Sequence, residues 1–504
     1  NETAGDRRIY LEAMVDYNRT FGRHDVNAML LYNQDELVNN VPGNNLINSL
    51  PKRKQGLAGR LSYAYDGKYM AEVNMGYNGS ENFAKGHRWG FFPSIALGYN
   101  ISEESFFEPL RKVITSMKLR GSWGLVGNDQ IGGERFIYMP TINLSGKGFT
   151  TGIDQNYGLS GPVYTRYENN SITWEVGEKI NLGIDLQLLN SLNIVVDIFR
   201  ETRRDIFQKK GTIPTYLGTG NTDVFGNLAE MKNQGLDLSI DYNKAFSKDF
   251  YMNFKGTFTY AHNEITKYDE APKYAFQSKV GQSANVSQGY LSNGLFLDEA
   301  EIDRYNQQMG STLGAGDIKY LNVSNMHGYG DDIVDVDDWT WIGNPTVPEI
   351  VYGFGPSFKY KNWDFSFFFQ GVAKTSLFMS GFHPFGDNSL RNVLQFVAND
   401  RWSPTNQNVD AKYPRLTRKT SLNNTNPGNS GRTSDYWMRD GSFLKLKNME
   451  LGYTFKRMRF YISGSNLLTF SKFDLWDPEQ GGGSGLKYPT QRVFNVGFQM
   501  TFNN

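Results

Sequence analysis

The side chains most often used in catalysis form no recognisable catalytic arrangement in this sequence. No cysteine is present, which excludes thiol catalysis, cysteine metal sites and disulfides. No G-x-S-x-G turn, phosphate-binding loop or H-E-x-x-H motif occurs. The histidines lie far apart, without the spacing of metal ligands, at His24, His87, His262, His327 and His383. We therefore expect no enzymatic activity and assign no catalytic residue.

The segment 322–338 is acidic and polar, with carboxylate, amide and hydroxyl side chains along it. By themselves these residues indicate an acidic, solvated loop.

Five tryptophans could contact a ligand. They lie in predicted outer loops or at strand ends, at Trp339, Trp341, Trp402, Trp437 and Trp476. Aromatic rings in such places stack on sugar rings or hold a peptide. Alternatively, they pack the loops together or belong to an aromatic membrane girdle, and packing is the favoured interpretation for any single one.

The composition favours a protein with one apolar face. The 52 basic and 52 acidic residues cancel, so no bulk attraction to nucleic acid is expected. Aromatic residues make up 14% of the chain, yet its mean hydropathy is −0.52. A transmembrane β-barrel combines these properties, because only its outer face is apolar and aromatic girdles flank that face. No run approaches the roughly 18 apolar residues of a membrane helix.

Apolar and polar residues alternate along most of the chain. Successive side chains of a strand point to opposite faces, so this alternation predicts strands with one apolar face. About fifteen strands are predicted, over 8–21, 25–38, 54–65, 68–79, 89–101, 114–127, 175–189, 192–207, 229–245, 251–267, 350–360, 363–377, 442–455, 458–471 and 491–502. Pro356 lies inside one of them and predicts a bulge, since proline cannot donate to a strand ladder.

Short and long connections alternate along the predicted sheet. The short ones include 66–67, 190–191 and 456–457, and a longer member at 102–113 predicts a helical turn. The long ones are 39–53, 80–88, 128–174, 208–228, 268–349, 378–441 and 472–490. Outer-membrane barrels have short periplasmic turns and long extracellular loops. Because such barrels have an even strand number, an odd count predicts that earlier strands precede residue 1.

Several stretches resemble the SusC/RagA family of TonB-dependent outer-membrane transporters. They occur in family order at 62–69 (SYAYDGKY), 89–94 (WGFFPS), 119–128 (LRGSWGLVGN), 233–238 (NQGLDL), 316–320 (GDIKY), 342–345 (IGNP), 436–448 (YWMRDGSFLKLKN) and 466–470 (NLLTF). Each motif is weak alone, but the ordered series is specific.

The resemblance implies an all-β fold, a transmembrane antiparallel β-barrel of roughly 22 strands around a plug. Residues 1–504 would form the C-terminal part of that barrel, without the plug and the first strands. It also implies import of oligosaccharides or peptides across the outer membrane. The implied partners are a SusD-like lipoprotein lid, the TonB–ExbB–ExbD complex acting through the plug, and outer-membrane lipid.

The resemblance also implies a Ca²⁺ or Mg²⁺ site in segment 322–338, because oxygen ligands at alternate positions suit a hard cation. The alternative is an acidic, solvated loop that has lost its ion. The family often has a calcium-type loop here, and this sequence departs from it by an apparent insertion at 325–330. The matching positions are Asn322, Ser324, Asp331, Asp335 and Asp338. Asp332 replaces the usual glycine, which puts the ion in doubt.

Two other functional classes remain open at this point. One is an outer-membrane barrel with a structural or adhesive role and no transport. The other is a soluble carbohydrate-binding β-protein, in which the apolar faces would be packed between two sheets.

Overall fold

The computed structural model describes residues 5–39, 50–131, 135–214, 223–305, 307–308, 313–381, 385, 392–417, 424 and 433–502. The chain forms two compact units. The first comprises Asn1–Leu238 and His262–Ala271, and the second comprises Ser239–Ala261 and Pro272–Asn504.

Fifteen long strands pair in chain order within one sheet. They are Asp6–Phe21, His24–Asn39, Lys52–Tyr65, Tyr69–Ser80, Trp89–Asn100, Ile114–Asn128, Glu175–Leu188, Leu192–Lys209, Phe225–Ala245, Phe250–Lys267, Ile350–Tyr360, Trp363–Ala373, Phe443–Phe455, Met458–Ser471 and Val493–Met500. Every long-strand pair with a described register is antiparallel. All fifteen predicted strands are confirmed, most within two residues of their predicted ends.

The alternation of side chains places apolar residues on one exposed face of the strands. In Tyr69–Ser80, Val73 is 47% exposed and Tyr77 is 42% exposed. Glu72 points to the opposite face and pairs with Arg60 of the neighbouring strand at 2.6 Å. These apolar side chains are not covered by a second sheet, which argues against the soluble β-protein alternative.

Shorter elements fill the long connections. The paired short strands are Thr141–Thr151 with Tyr157–Arg166, Ser287–Gly289 with Thr340–Ile342, Ser292–Leu295 with Ile318–Tyr320, Gln307–Gln308 with Ile333–Val334, and Ser376–Phe378 with Met438–Asp440. Among the described residues, the α-helices are Glu299–Arg304, Val323–Met326 and Gln395–Asn399. The 3₁₀ helices are Ile101–Glu103, Ser105–Lys112, Ala275–Gln277, Val336–Asp338, Asp435–Trp437 and Pro478–Gln480.

One of these shorter elements was predicted from the sequence, and others were not. The helical turn predicted at 102–113 is confirmed by two consecutive 3₁₀ helices. The hairpin of Thr141–Thr151 and Tyr157–Arg166 was not predicted, because its glycines interrupt the apolar alternation. In the described part of the chain, no helix has both the length and the apolar character needed to cross a membrane.

The predicted bulge at Pro356 takes a different form. The ladder between Ile350–Tyr360 and Trp363–Ala373 omits Gly355 and Pro356, and the same register resumes at Ser357. No residue is inserted, so this is a gap in the ladder and the bulge prediction was wrong. Proline has no N–H to donate, and Gly355 lets the two backbones approach closely at the gap.

We expect Gly355→Ala to destabilise this strand pair by about 1–3 kcal/mol, the usual cost of overpacking. The added methyl group would collide with the backbone carbonyl oxygen of Phe367. The effect is measured by urea unfolding, with heat-modifiable gel migration reporting the fraction of protein that remains folded. Gly76→Ala is the control, because a Cβ there meets only the flexible end of Asn78 at 3.3 Å and a backbone oxygen at 3.8 Å. Equal stability of the two variants would contradict the prediction.

Candidate functional site

The long connections of the second unit fold around a shared apolar cluster, here named the outer-loop core. Backbone hydrogen bonds join the connections, for example from Tyr290 N to Thr433 O at 2.9 Å and from Gly483 N to Phe378 O at 2.8 Å. The buried members of the outer-loop core are Tyr290, Leu295, Ile318, Tyr320, Val334, Leu377, Met379, Phe385, Val397, Trp402, Ala411, Tyr413, Trp437 and Phe473. Segments distant in sequence therefore form one packed structure.

The five candidate tryptophans mostly serve this packing. Trp437 is fully buried and Trp402 is 5% exposed, both within the outer-loop core. Trp339 and Trp476 pack against it. Trp341 lies in a short strand, and its indole N–H donates to a backbone carbonyl at 2.9 Å. These positions support the packing interpretation, and ligand binding by the five tryptophans stays a prediction.

The candidate cation-binding residues of segment 322–338 do lie together. Ser324 Oγ donates to Asp331 Oδ2, and Asn322 Nδ2 donates to Asp331 Oδ1, both at 3.1 Å. The two carboxylate oxygens of Asp338 accept the backbone N–H groups of Ser324 at 2.9 Å and of Asp335 at 2.7 Å. Four of the predicted residues are thus linked by side-chain hydrogen bonds, with Asp335 joined through its backbone.

The hydrogen-bond donors to the carboxylates of segment 322–338 are N–H and O–H groups of the protein itself. The Asp335 carboxylate accepts the N–H of Asp337 at 2.8 Å, so it caps its own turn. Burial raises the pKa of Asp338 above its ordinary value, although it accepts two backbone hydrogen bonds. The carboxylate oxygens of Asp331, Asp335 and Asp338 already accept N–H and O–H groups of the protein, which disfavours a bound ion here, and cation binding stays a prediction. Within the described ranges, no group of three or more His, Asp or Glu residues is placed to hold a metal.

The cation prediction can be tested by adding calcium to chelator-treated protein. We expect no change in the unfolding midpoint at about 1 mM Ca²⁺, the range of extracellular calcium modules. Asp331→Asn should lower the midpoint equally with and without the ion, because it weakens hydrogen bonds from Asn322 and Ser324. Stabilisation by calcium that disappears in Asp331→Asn would show instead that the loop binds the ion.

A buried ion pair joins two of the outer connections. Asp317 is fully buried and accepts hydrogen bonds from Arg415 Nη2 at 2.9 Å and from Asn424 Nδ2 at 2.6 Å. Arg415 makes a second contact through Nε, so the pair is bidentate. No local sequence pattern predicts this pair, because its partners are about 100 residues apart.

A buried lysine fixes the last long connection to the sheet. The Lys445 side chain is 1% exposed and its Nζ contacts Asp477 and, at 2.7 Å, Glu479 Oε2. Lys447 Nζ also contacts Glu479 at 2.7 Å. Burial acts to raise the pKa of both carboxyls, but hydrogen bonds from Lys445 and neighbouring groups outweigh it, so both pKa values lie below normal.

We expect Lys445→Met to free segment 472–490, with a loss of about 2 kcal/mol in its local opening free energy. Carboxyls with lowered pKa stabilise the folded state above their unfolded pKa, and this contribution is lost as pH falls through the folded values. Wild-type protection should therefore decline below about pH 4, and the variant should lose this pH dependence. Hydrogen exchange measures both effects. Lys447→Met leaves the contacts of Lys445 intact and should change protection less. A larger change in Lys447→Met would contradict the role of Lys445 in fixing segment 472–490.

The fold and its loops define the class of the protein. Fifteen long strands paired in chain order, an exposed apolar face and folded long connections are the features of an outer-membrane β-barrel. A family model described as TonB dependent receptor-like, beta-barrel, matches residues 2–467. The chain belongs to this family, whose members are receptors.

Individual relatives agree with this assignment. TonB-dependent receptor SusC of Bacteroides thetaiotaomicron is 28% identical over 471 residues, covering 88% of this chain and 43% of SusC. TonB-dependent receptor P26 of Formosa agariphila is 28% identical, covering 92% of this chain and 49% of that protein. The solved RagAB peptide transporter matches with a TM-score of 0.71 and 20% identity, covering 99% of this chain and 56% of that one, which shows the fold. The chain spans about half the length of these curated relatives.

Proposed function

We propose that the protein containing this chain is an outer-membrane importer of oligosaccharides or peptides that is energised through TonB. The observation that carries the proposal is the series of long paired strands with an exposed apolar face, in a chain of the TonB-dependent receptor family. Fourteen of the fifteen strands have at least 11 residues. Tilted strands need about 9–11 residues to cross a bilayer.

The exposed apolar faces would contact outer-membrane lipid. A strand in hydrocarbon must pair its backbone groups with neighbouring strands, as the strands between the two ends of the sheet do. Aromatic side chains next to the short turns, such as Tyr69 and Tyr99 with ring centroids 5.1 Å apart, have the character of an interfacial girdle. The long connections would then face the outside, and nucleic acid has no place in this arrangement.

A SusD-like lipoprotein would cover the outer connections, and the TonB–ExbB–ExbD complex would supply energy from the periplasmic side. The similarity to SusC and to the RagAB peptide transporter supports both partners. The outer-loop core supports the first, because connections fixed by packing and buried ion pairs offer a stable surface for a lid.

Growth of a strain that lacks the gene tests the proposal. We expect loss of growth on at least one glycan or peptide, restored by the intact gene, and lost again when ExbB and ExbD are removed. A SusD-like lipoprotein should copurify with the restored protein. Sensitivity to small antibiotics serves as the control for a leaky membrane. Unchanged growth on every nutrient would favour the non-transporting barrel instead.

A further inference from the structure

A groove in the first unit lies on the exposed apolar face of the sheet, toward the strand ends that border the short connections. It crosses five strands that follow one another in the sheet, from Lys52–Tyr65 to Glu175–Leu188. At the usual spacing of strands, this distance is about 19 Å. The volume of the groove is about 610 Å³, within the range of small-molecule sites. The groove therefore has room for an elongated ligand.

Small and large side chains alternate along the floor of the groove. Four residues form one row on this face, because each pairs with the next across the strand ladder: Ala71, Leu97, Gly121 and Leu182. Leu97 is 58% exposed and Leu182 is 62% exposed. Ala71 and Gly121 carry almost no side chain, so depressions lie beside the leucines. Within a bilayer, an apolar chain that fills such depressions is held by van der Waals packing rather than by removal from water.

Two tyrosines and an ion pair border one end of the groove. Tyr69 and Tyr99 form the adjacent row, with ring planes 6° apart. Both hydroxyls donate to Glu104 Oε1, at 2.6 Å from Tyr69 and at 3.4 Å from Tyr99. Lys68 Nζ lies 3.6 Å from the other carboxylate oxygen of Glu104. The groove therefore ends at an ammonium group and a carboxylate held side by side.

The connection 101–113, which contains Glu104, has the character of a membrane-interface segment. Its apolar side chains Phe106, Leu110 and Val113 are each more than half exposed. Amphipathic helical segments that combine exposed apolar residues with Lys and Arg lie at the boundary between water and hydrocarbon. This connection thus places the polar end of the groove at the depth of the lipid headgroups.

The charges at this end of the groove cancel. The turn lysine and the connection 101–113 together carry three basic and three acidic side chains, which are Lys68, Arg111, Lys112, Glu103, Glu104 and Glu108. In the adjacent turn, Asp66 is paired with Arg23 at 3.6 Å. An anionic headgroup therefore gains no net attraction here, whereas a headgroup with separate positive and negative groups can contact Glu104 and Lys68 at once.

We propose that this groove holds one glycerophospholipid with a zwitterionic phosphoethanolamine headgroup, taken from the periplasmic leaflet, which the short turns border. One acyl chain lies across Ala71 and Gly121, the headgroup phosphate accepts from Lys68, and the headgroup ammonium donates to Glu104. A carboxylate has about four acceptor sites, so Glu104 can accept this bond in addition to those from the protein. This lipid site goes beyond nutrient import and holds whether or not the protein transports nutrients.

Native mass spectrometry of the full-length protein in a neutral detergent tests the lipid site. The probes are palmitoyl-oleoyl phosphatidylethanolamine and phosphatidylglycerol with the same acyl chains, each titrated into delipidated protein. We expect one phosphatidylethanolamine to be retained per chain, with an affinity about tenfold above that of phosphatidylglycerol, which corresponds to one hydrogen bond to a charged group. Retention of neither lipid, or equal affinity for the two lipids, would overturn the proposal.

Ala71→Phe and Ala28→Phe separate filling of the groove from a general effect on the sheet. A phenyl ring at residue 71 would occupy the groove, so Ala71→Phe should weaken phosphatidylethanolamine binding about tenfold. Ala28 is the matched control, because it pairs with Tyr17 and Leu61 on the same face and does not line the groove. Ala28→Phe should leave the affinity unchanged, and equal weakening by the two variants would contradict the site. Heat-modifiable gel migration checks that both variants fold.

Glu104→Gln and Glu108→Gln test the contact with the headgroup. Glu104→Gln removes the charge that meets the ammonium group but keeps an acceptor for the tyrosines, so the preference for phosphatidylethanolamine should disappear. Glu108→Gln makes the same change of charge within the connection 101–113 and should keep the preference. Loss of the preference in both variants would show selection by net charge alone and would overturn the headgroup assignment.

Discussion

The pairing of each long strand with the next is the constraint on which the rest of the structure depends. Each strand supplies the backbone partners of its neighbour, and the side-chain period of two then leaves one face apolar and the other polar. A shift of one residue would exchange the two faces along a whole strand. The register of the sheet consequently decides where every ion pair, aromatic ring and connection lies.

This constraint explains how much of the fold the sequence could predict. A period of two is a local signal, so Tyr69–Ser80 and Trp363–Ala373 could be recognised from their own residues. The alternation of short and long connections required only counting along the chain. An irregularity at Pro356 was predicted, but the sequence could not distinguish a bulge from the gap observed at Gly355 and Pro356. The two differ only in the position of the partner strand.

The candidate sites were harder to predict because their interactions join distant segments. Asp317 and Arg415 form a buried pair across about 100 residues, and no local pattern marks either one. In segment 322–338 the residue types suggested a cation site, but the sequence could not show that Asn322 and Ser324 direct donors at Asp331.

The buried lysine of strand Phe443–Phe455 has a consequence for the order of assembly. The carboxylates that neutralise Lys445 are 32 and 34 residues further along the chain. Until that later segment is in place, the ammonium group lacks these counter-ions, and an uncompensated charge resists leaving water. Lys445 can therefore be buried only after the later segment with Asp477 and Glu479 has folded against the strand. This lysine thus couples burial at the end of the strand to the folding of the last long connection.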